Sequence, residues 1–253
     1  MLIRKESFRI TFSQLFSLIL LAIVYSSTGL FLFWSYMYIS SGIATTIHYL
    51  YPVLVTGMMI FFFREKSSIW IFLSVVLAIA GVALLSWGEG GMTISLRGLA
   101  IVLVSVFAYA LYIVAVNKLG IKSMGVFKFT FYILLIGSFF FLFNALAKDN
   151  LQPLQGGLPI FNVVMLALIP TVISNITLVN SIKYVGSTTT AVLGAMEPVA
   201  AVMVGVAVFG EPFTLNVFGG IVLILVAVTL VILAKDLSKL WKRIMKPVRI
   251  KSK

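Results

Sequence analysis

Glutamate 197 is the residue best placed to do chemistry in this sequence. It is a lone carboxyl within the apolar run AVLGAMEPVAAVMVGVAVF at 191–209. If that run crosses a bilayer, a charge near its centre costs about 2.5–3.5 kcal/mol on insertion scales, and such a group normally faces a bundle interior or a wet cavity. A proton, a substrate cation or a substrate amine would suit it. Thr190, Gly194, Ala201 and Gly205 lie at helical spacing around it. This small-residue stripe favours close helix packing, so a carboxyl hydrogen-bonded to a neighbouring helix, fixing the bundle, is the alternative.

His48 is the only histidine and shares a helical face with Ser41, Thr45 and Pro52. With no cysteine in the chain and no aspartate nearby, it cannot assemble a multi-ligand metal site. A proton relay is one role for it; a hydrogen-bonded packing imidazole is the favoured one. Polar residues also gather within apolar runs, as Ser26, Ser27 and Thr28 in the first and Thr171, Ser174, Asn175 and Thr177 in the sixth. Tyr109 and Tyr112 add aromatic walls from the fourth. The expected substrate or proton site therefore comprises Glu197, His48, Ser174, Asn175, Thr28, Tyr109 and Tyr112. The competing reading for each is an interhelical hydrogen bond, typically about 0.6 kcal/mol per contact.

Pro52 and Pro198 each free the carbonyl four residues earlier, at His48 and Gly194, and are expected to kink their helices. Glu65 and Glu211 close the same two runs and are followed by Ser67, Ser68 and Thr214. They are expected to be structural, capping the next helix or binding interfacial groups, because helix ends leave unpaired amides. Lys183 follows the sixth run and is expected to snorkel.

The elements that must position these residues follow from composition. The chain of 253 residues is 61% hydrophobic and 10% charged, against about 25% charged in a soluble domain. No soluble core absorbs that much apolar sequence. A spanning helix needs about 20 apolar residues, and eight segments qualify, near 14–38, 43–63, 68–87, 97–117, 126–147, 160–182, 188–209 and 214–234. They are continuous apolar runs rather than alternating strands, which disfavours a barrel. The expected fold is all-α and polytopic. The first run is too long for a signal-peptide core and reads as a retained span.

The net charge of +12 does not imply nucleic acid, because of where the charge lies. With the N-terminus inside, seventeen of the nineteen Lys and Arg fall inside, eight of them from Lys235 to Lys253, and only Arg97 and Lys148 fall outside. The positive-inside rule then puts both termini in the cytoplasm. In the tail, Leu237, Leu240, Trp241 and Ile244 share one helical face ahead of Pro247. Such a tail can lie on an anionic leaflet, although an ordinary solvated flank is the favoured reading. Having no Cys, the chain has no disulfide or thiolate metal site. The sequence also lacks a Walker loop, a dinucleotide fingerprint and an HExxH motif, so no enzyme activity, cofactor or metal is expected.

The pairs Pro52 with Glu65 and Pro198 with Glu211 are both 146 positions apart. The same ungapped offset superposes Thr28 on Ser174, Ser35 on Ser181, Tyr38 on Tyr184 and Phe72 on Phe218. Five spans separate equivalent points, and an odd number inverts the second copy. Inverted repeats with discontinuous helices are a secondary-transporter architecture.

The segments IKYVGSTTTAVLGAMEPVAAVMVGVAVFGEPFTLNVFGGIVLILVAV at 182–228 and, more weakly, 36–85 resemble the EamA-like branch of the drug/metabolite transporter superfamily. Its pattern is a short linking turn, a helix with a mid-span proline, a glutamate at that helix's end and a glycine-containing final helix. The resemblance covers about 14–234. It implies two inverted five-helix halves that move small metabolites, amino acids or drugs, and it lays the family's Glu-Pro pair on Glu197 and Pro198. The chain lacks counterparts of the family's first two helices. It thus reads as a cytoplasmic segment 1–13, an incomplete three-helix repeat 14–87, a five-helix repeat 96–234 and a basic tail 235–253.

The expectation is a plasma-membrane secondary transporter working by alternating access. A non-transporting scaffold or partner subunit, a truncated transporter fragment, is the alternative. The expected partners are the lipid bilayer and a small-molecule substrate, with a homodimer left open and nucleic acid excluded. Because the chain has no Cys, orientation can be read without background. Gly91→Cys and Gly156→Cys should react with an impermeant thiol reagent in intact cells, and Ser123→Cys and Ser252→Cys should not; the reverse pattern would defeat this topology.

Overall fold

A computed structural model of the chain describes residues 8–39, 41–65, 68–85, 95–119, 124–147, 155–209 and 213–244. Its elements are α1 (Phe12–Ser35), α2 (Ser41–His48), α3 (Tyr51–Phe61), α4 (Ile69–Leu85), α5 (Leu96–Lys118), α6 (Val126–Ala147), α7 (Gly157–Leu166), a π-helical stretch (Ala167–Ile173), α8 (Ser174–Val185), α9 (Ser187–Leu193), α10 (Met196–Phe209) and α11 (Leu215–Ile244). There is no strand among the described residues. Phe12, Phe33, Phe61, Phe143 and Leu215 are each more than half exposed. Such an apolar exterior belongs in lipid, as the sequence requires.

Among the described residues, five helices are long and apolar enough to cross a membrane: Phe12–Ser35, Leu96–Lys118, Val126–Ala147, Gly157–Val185 and Leu215–Ala234. The structure departs from eight uniform segments at three places, each with a physical cause. The expected span 43–63 is two helices, α2 and α3, parted by a turn at Tyr49 and Leu50. The expected span 188–209 is likewise α9 and α10, parted at Gly194 and Ala195. The prolines do more than kink: lacking N–H groups, they end the ladder. The carbonyl freed by Pro198, that of Gly194, accepts the Glu197 N–H instead at 3.0 Å. Around Pro52, Ile47 O accepts from Leu50 N–H and Leu50 O accepts from Val53 N–H, both at 3.0 Å.

The third departure is the π stretch, which sequence reading missed although Pro170 lies inside it. Pro170 has no N–H to give to Leu166 O, its usual partner. The Thr171 hydroxyl donates to that oxygen at 3.1 Å, so the widened turn keeps the carbonyl satisfied where water is absent.

Hydroxyls close several of the described helix ends. Thr11 and Gln14 form a reciprocal capping box on α1. Ser68 Oγ accepts the Trp70 N–H at 3.1 Å ahead of α4, and Thr214 Oγ1 accepts the Val217 N–H at 3.3 Å on α11. Glu65 lies exposed beyond α3. Its backbone N–H reaches back to Met59 O at 3.0 Å, a return made possible by the left-handed Arg64 (φ 50°). Glu211 lies outside the described residues, and α11 runs unbroken into the basic tail as far as Ile244.

The chain forms two compact units, each drawing on both sides of the 88–95 connection. One comprises Met1–Thr56 with Gly90–Thr190, the other Gly57–Glu89 with Ala191–Lys253. In the first, α1 packs along α5 and α6. Gly137 of α6 brings its backbone to Ser26, whose Oγ lies 2.8 Å from where a Cβ would stand. Ile39, Ala44 and Val102 form a buried cluster that seats α2 on α5.

In the second unit α4 lies along α11. Ile224, Ala227, Val231 and Ala234 are buried on α11, and Val75, Ala78 and Val82 on α4, each a stripe of three- and four-residue steps. Gly81 makes the close approach: a Cβ there would meet Ile224 Cγ1 at 2.7 Å and Gly220 O at 2.8 Å. A backbone oxygen cannot step aside as a flexible side chain can. Gly81→Ala should therefore lower the unfolding temperature in detergent, with a cost of about 1–3 kcal/mol. Gly57→Ala, with nothing within 4 Å of the added methyl, should leave it unchanged or raise it. Equal effects would remove the case for tight packing at Gly81.

Candidate functional site

The first unit holds a polar and aromatic seam between α1 and α5. Tyr25 and Thr28 lie one turn apart on α1, and Ser105, Tyr109 and Tyr112 lie at helical spacing on α5. The seam has two clusters, about 10 Å apart along α5 by its rise of 1.5 Å per residue.

The first cluster forms where α2 breaks. His48, the last residue of α2, is buried. Its Nδ1 lies 3.1 Å from Ser105 Oγ. Ser105 Oγ in turn donates to the Thr28 carbonyl at 2.7 Å. A serine has one hydrogen to give, and here Thr28 O takes it. The His48–Ser105 bond must therefore be donated by Nδ1–H, which leaves Nε2 as the acceptor in the neutral ring. The imidazole packs beside Tyr109 and Tyr51, with centroids 5.4 Å and 5.9 Å away. Tyr51 and Tyr109 meet edge to face at 4.7 Å, a favoured aromatic geometry. The Thr28 hydroxyl turns back to Val24 O of its own helix at 3.2 Å, so Thr28 serves the cluster through its backbone.

The second cluster joins α1, α5 and α8. Tyr112 is fully buried, and its hydroxyl donates to Asn175 Oδ1 at 3.5 Å. Tyr25 packs on Tyr112 with centroids 5.0 Å apart. Asn175 is 2% exposed, and its Nδ2 is a buried donor with no hydrogen-bond partner. A buried amide donor without a partner is costly.

The structure thus gathers five expected residues into this seam: His48, Thr28 and Tyr109 in one cluster, Tyr112 and Asn175 in the other. Ser174, beside Asn175, is exposed at the start of α8. Pro52 is the buried second residue of α3, and Pro198 the half-buried third of α10. Glu197 belongs to the second unit, where it is exposed in the first turn of α10 rather than in mid-helix. Ser105, Tyr25 and Tyr51 were not foreseen. The spacing of Ser105 from Tyr109 and Tyr112 was the available signal for the first of these. No group of three imidazoles or carboxylates converges among the described residues, so the seam offers hydroxyls, a carboxamide and one imidazole.

The chain matches the model of the EamA-like transporter family over residues 1–87 and 96–233. It is similar to an uncharacterized transporter, YdfC, of Bacillus subtilis (strain 168), at 24% identity over 187 residues. That match covers 73% of this chain, and the chain spans 60% of the relative's length. A solved crystal structure of a protein superposes with a TM-score of 0.79 at 17% identity, covering 92% of this chain and 82% of that one. At that identity the likeness is one of fold.

A chain with a single histidine lets the tautomer be observed directly. With ¹⁵N-labelled histidine, NMR should show Nδ1 protonated and Nε2 unprotonated in the neutral ring. Ser105→Ala should remove that preference and lower stability by about 1–3 kcal/mol, since two buried groups lose their partner. Ser17→Ala, which removes only an exposed bond to Ser13 O, should do neither.

Proposed function

The chain belongs to the EamA-like transporter family, and on that premise we propose that it is a secondary transporter moving small metabolites, amino acids or drugs by alternating access. In this reading it spans the plasma membrane with both termini cytoplasmic, and two inverted halves rock about a midplane site. The observation that carries the reading is the pair of interrupted helices. One apolar run breaks just before Pro52 and another just before Pro198, 146 positions later. Half-helices at matching points of a repeat are how secondary transporters expose backbone groups and helix termini to substrate.

The two breaks carry different chemistry. At the first, His48 ends α2 and Tyr51 opens α3 among aromatic rings. At the second, Glu197 stands in the first turn of α10, where unpaired amides and the helix dipole favour a negative charge. A carboxylate so supported can serve a proton or the amine of a substrate. The seam of Thr28, Ser105, Tyr109, Tyr112 and Asn175 supplies the polar wall of the path.

The test is a transport or growth-resistance screen on the full reading frame, across amino acids and small metabolites. Glu197→Gln should cut transport about tenfold or more with folded protein still in the membrane, and Glu65→Gln should leave it nearly intact. Unchanged rate and pH dependence in Glu197→Gln would show that this carboxyl only packs the protein.

A further inference from the structure

Within the first unit, α6 separates from the π stretch and α8 to leave a cavity of about 510 Å³. Phe131 and Leu135 of α6, Val172 of the π stretch and Ile176 of α8 wall it, and Phe8 closes one end. The walls are apolar apart from Thr130. That residue is 2% exposed, and its Oγ1 has no hydrogen-bond partner. A buried hydroxyl in the wall of an apolar cavity is unfavourable while it lacks a partner.

The Phe8 end is cationic. The Tyr132 hydroxyl donates to Phe8 O at 2.6 Å, and Lys128 Nζ donates to Arg9 O, holding the segment before α1 against α6. Lys183 Nζ donates to Met124 O at 2.6 Å, close to the start of α6. The unit has no Asp or Glu among its described residues. An apolar slot, a partnerless hydroxyl in its wall and a basic end together suit an amphipathic anion of the bilayer.

We propose that this groove binds an anionic phospholipid, its acyl chain between α6 and α8, an ester oxygen on Thr130 and its phosphate at Arg9 and Lys128. Basic pockets between membrane helices are known to hold anionic headgroups, and here the basic end lies on the side where the positive-inside rule places the cytoplasmic leaflet. The lipid would tie the segment before α1 to α6 and fill the space beside the π stretch. The proposal does not depend on transport.

The full chain, purified in neutral detergent, should be mixed with phosphatidylglycerol or phosphatidylcholine of identical chains and followed by native mass spectrometry and thermal unfolding. Phosphatidylglycerol should be retained and should raise the unfolding temperature more than phosphatidylcholine does. Joint Arg9→Gln and Lys128→Gln should weaken that retention about tenfold, and Leu135→Trp, which fills the groove, should abolish it. Thr130→Val, nearly the same shape, should stabilise the lipid-free protein and shrink the gain from lipid. Equal retention of the two lipids, or phosphatidylglycerol binding that survives both the charge removal and Leu135→Trp, would overturn the proposal. So would a photo-crosslinker at Phe131 that captures polypeptide from the membrane and never lipid.

Discussion

Every backbone amide and carbonyl held in hydrocarbon must find a partner within the protein, and much of this structure follows from that requirement. Three prolines interrupt apolar runs, and each leaves a carbonyl that the regular ladder would have served. At Pro198 the N–H of Glu197 turns back onto Gly194 O. At Pro170 the Thr171 hydroxyl serves Leu166 O within a π turn. Near Pro52 the turn bonds from Leu50 N–H to Ile47 O and from Val53 N–H to Leu50 O carry the chain across the break. The interruptions set where His48, Tyr51 and Glu197 stand.

The same economy governs the side chains. Several buried hydroxyls in the first unit bond to backbone carbonyls, as Ser35 to Leu32, Ser105 to Thr28 and Ser187 to Ile113. Ser105 and Ser187 reach another element, and so each links elements while satisfying itself. The exceptions stand out: Ser26, Thr56, Thr130 and the Asn175 amide have no partner. Thr130 faces a cavity and Asn175 sits behind two tyrosines.

Much of this was legible in the sequence. The long runs of α1, α5 and α6 are set by length and apolar content alone, and their ends fall within a few residues of those read from the chain. Pro52 and Pro198 marked the right places, but a proline in an apolar run reads equally as a kink or a break. Lipid and neighbouring helices decide between the two. Pro170 was just as visible, yet the Thr171 bond that makes a π turn possible depends on a side-chain rotamer. Ser105 went unnoticed because a single serine in an apolar helix has meaning only through its partners, His48 and Thr28, far away in the chain. Glu197 was read as a mid-helix carboxyl because continuity was assumed through the residue where the helix begins.

The pairing of α4 with α11 has a consequence for how the molecule is made. The narrow contact at Gly81 needs Gly220 and Ile224, which leave the ribosome long after α4 does. Until then the glycine face of α4 is offered to lipid or to any chaperone or protease that patrols the membrane for unassembled helices. Maturation of that unit therefore waits on a late insertion event, and a stalled or shortened nascent chain would carry α4 as a recognisable mark of incompleteness.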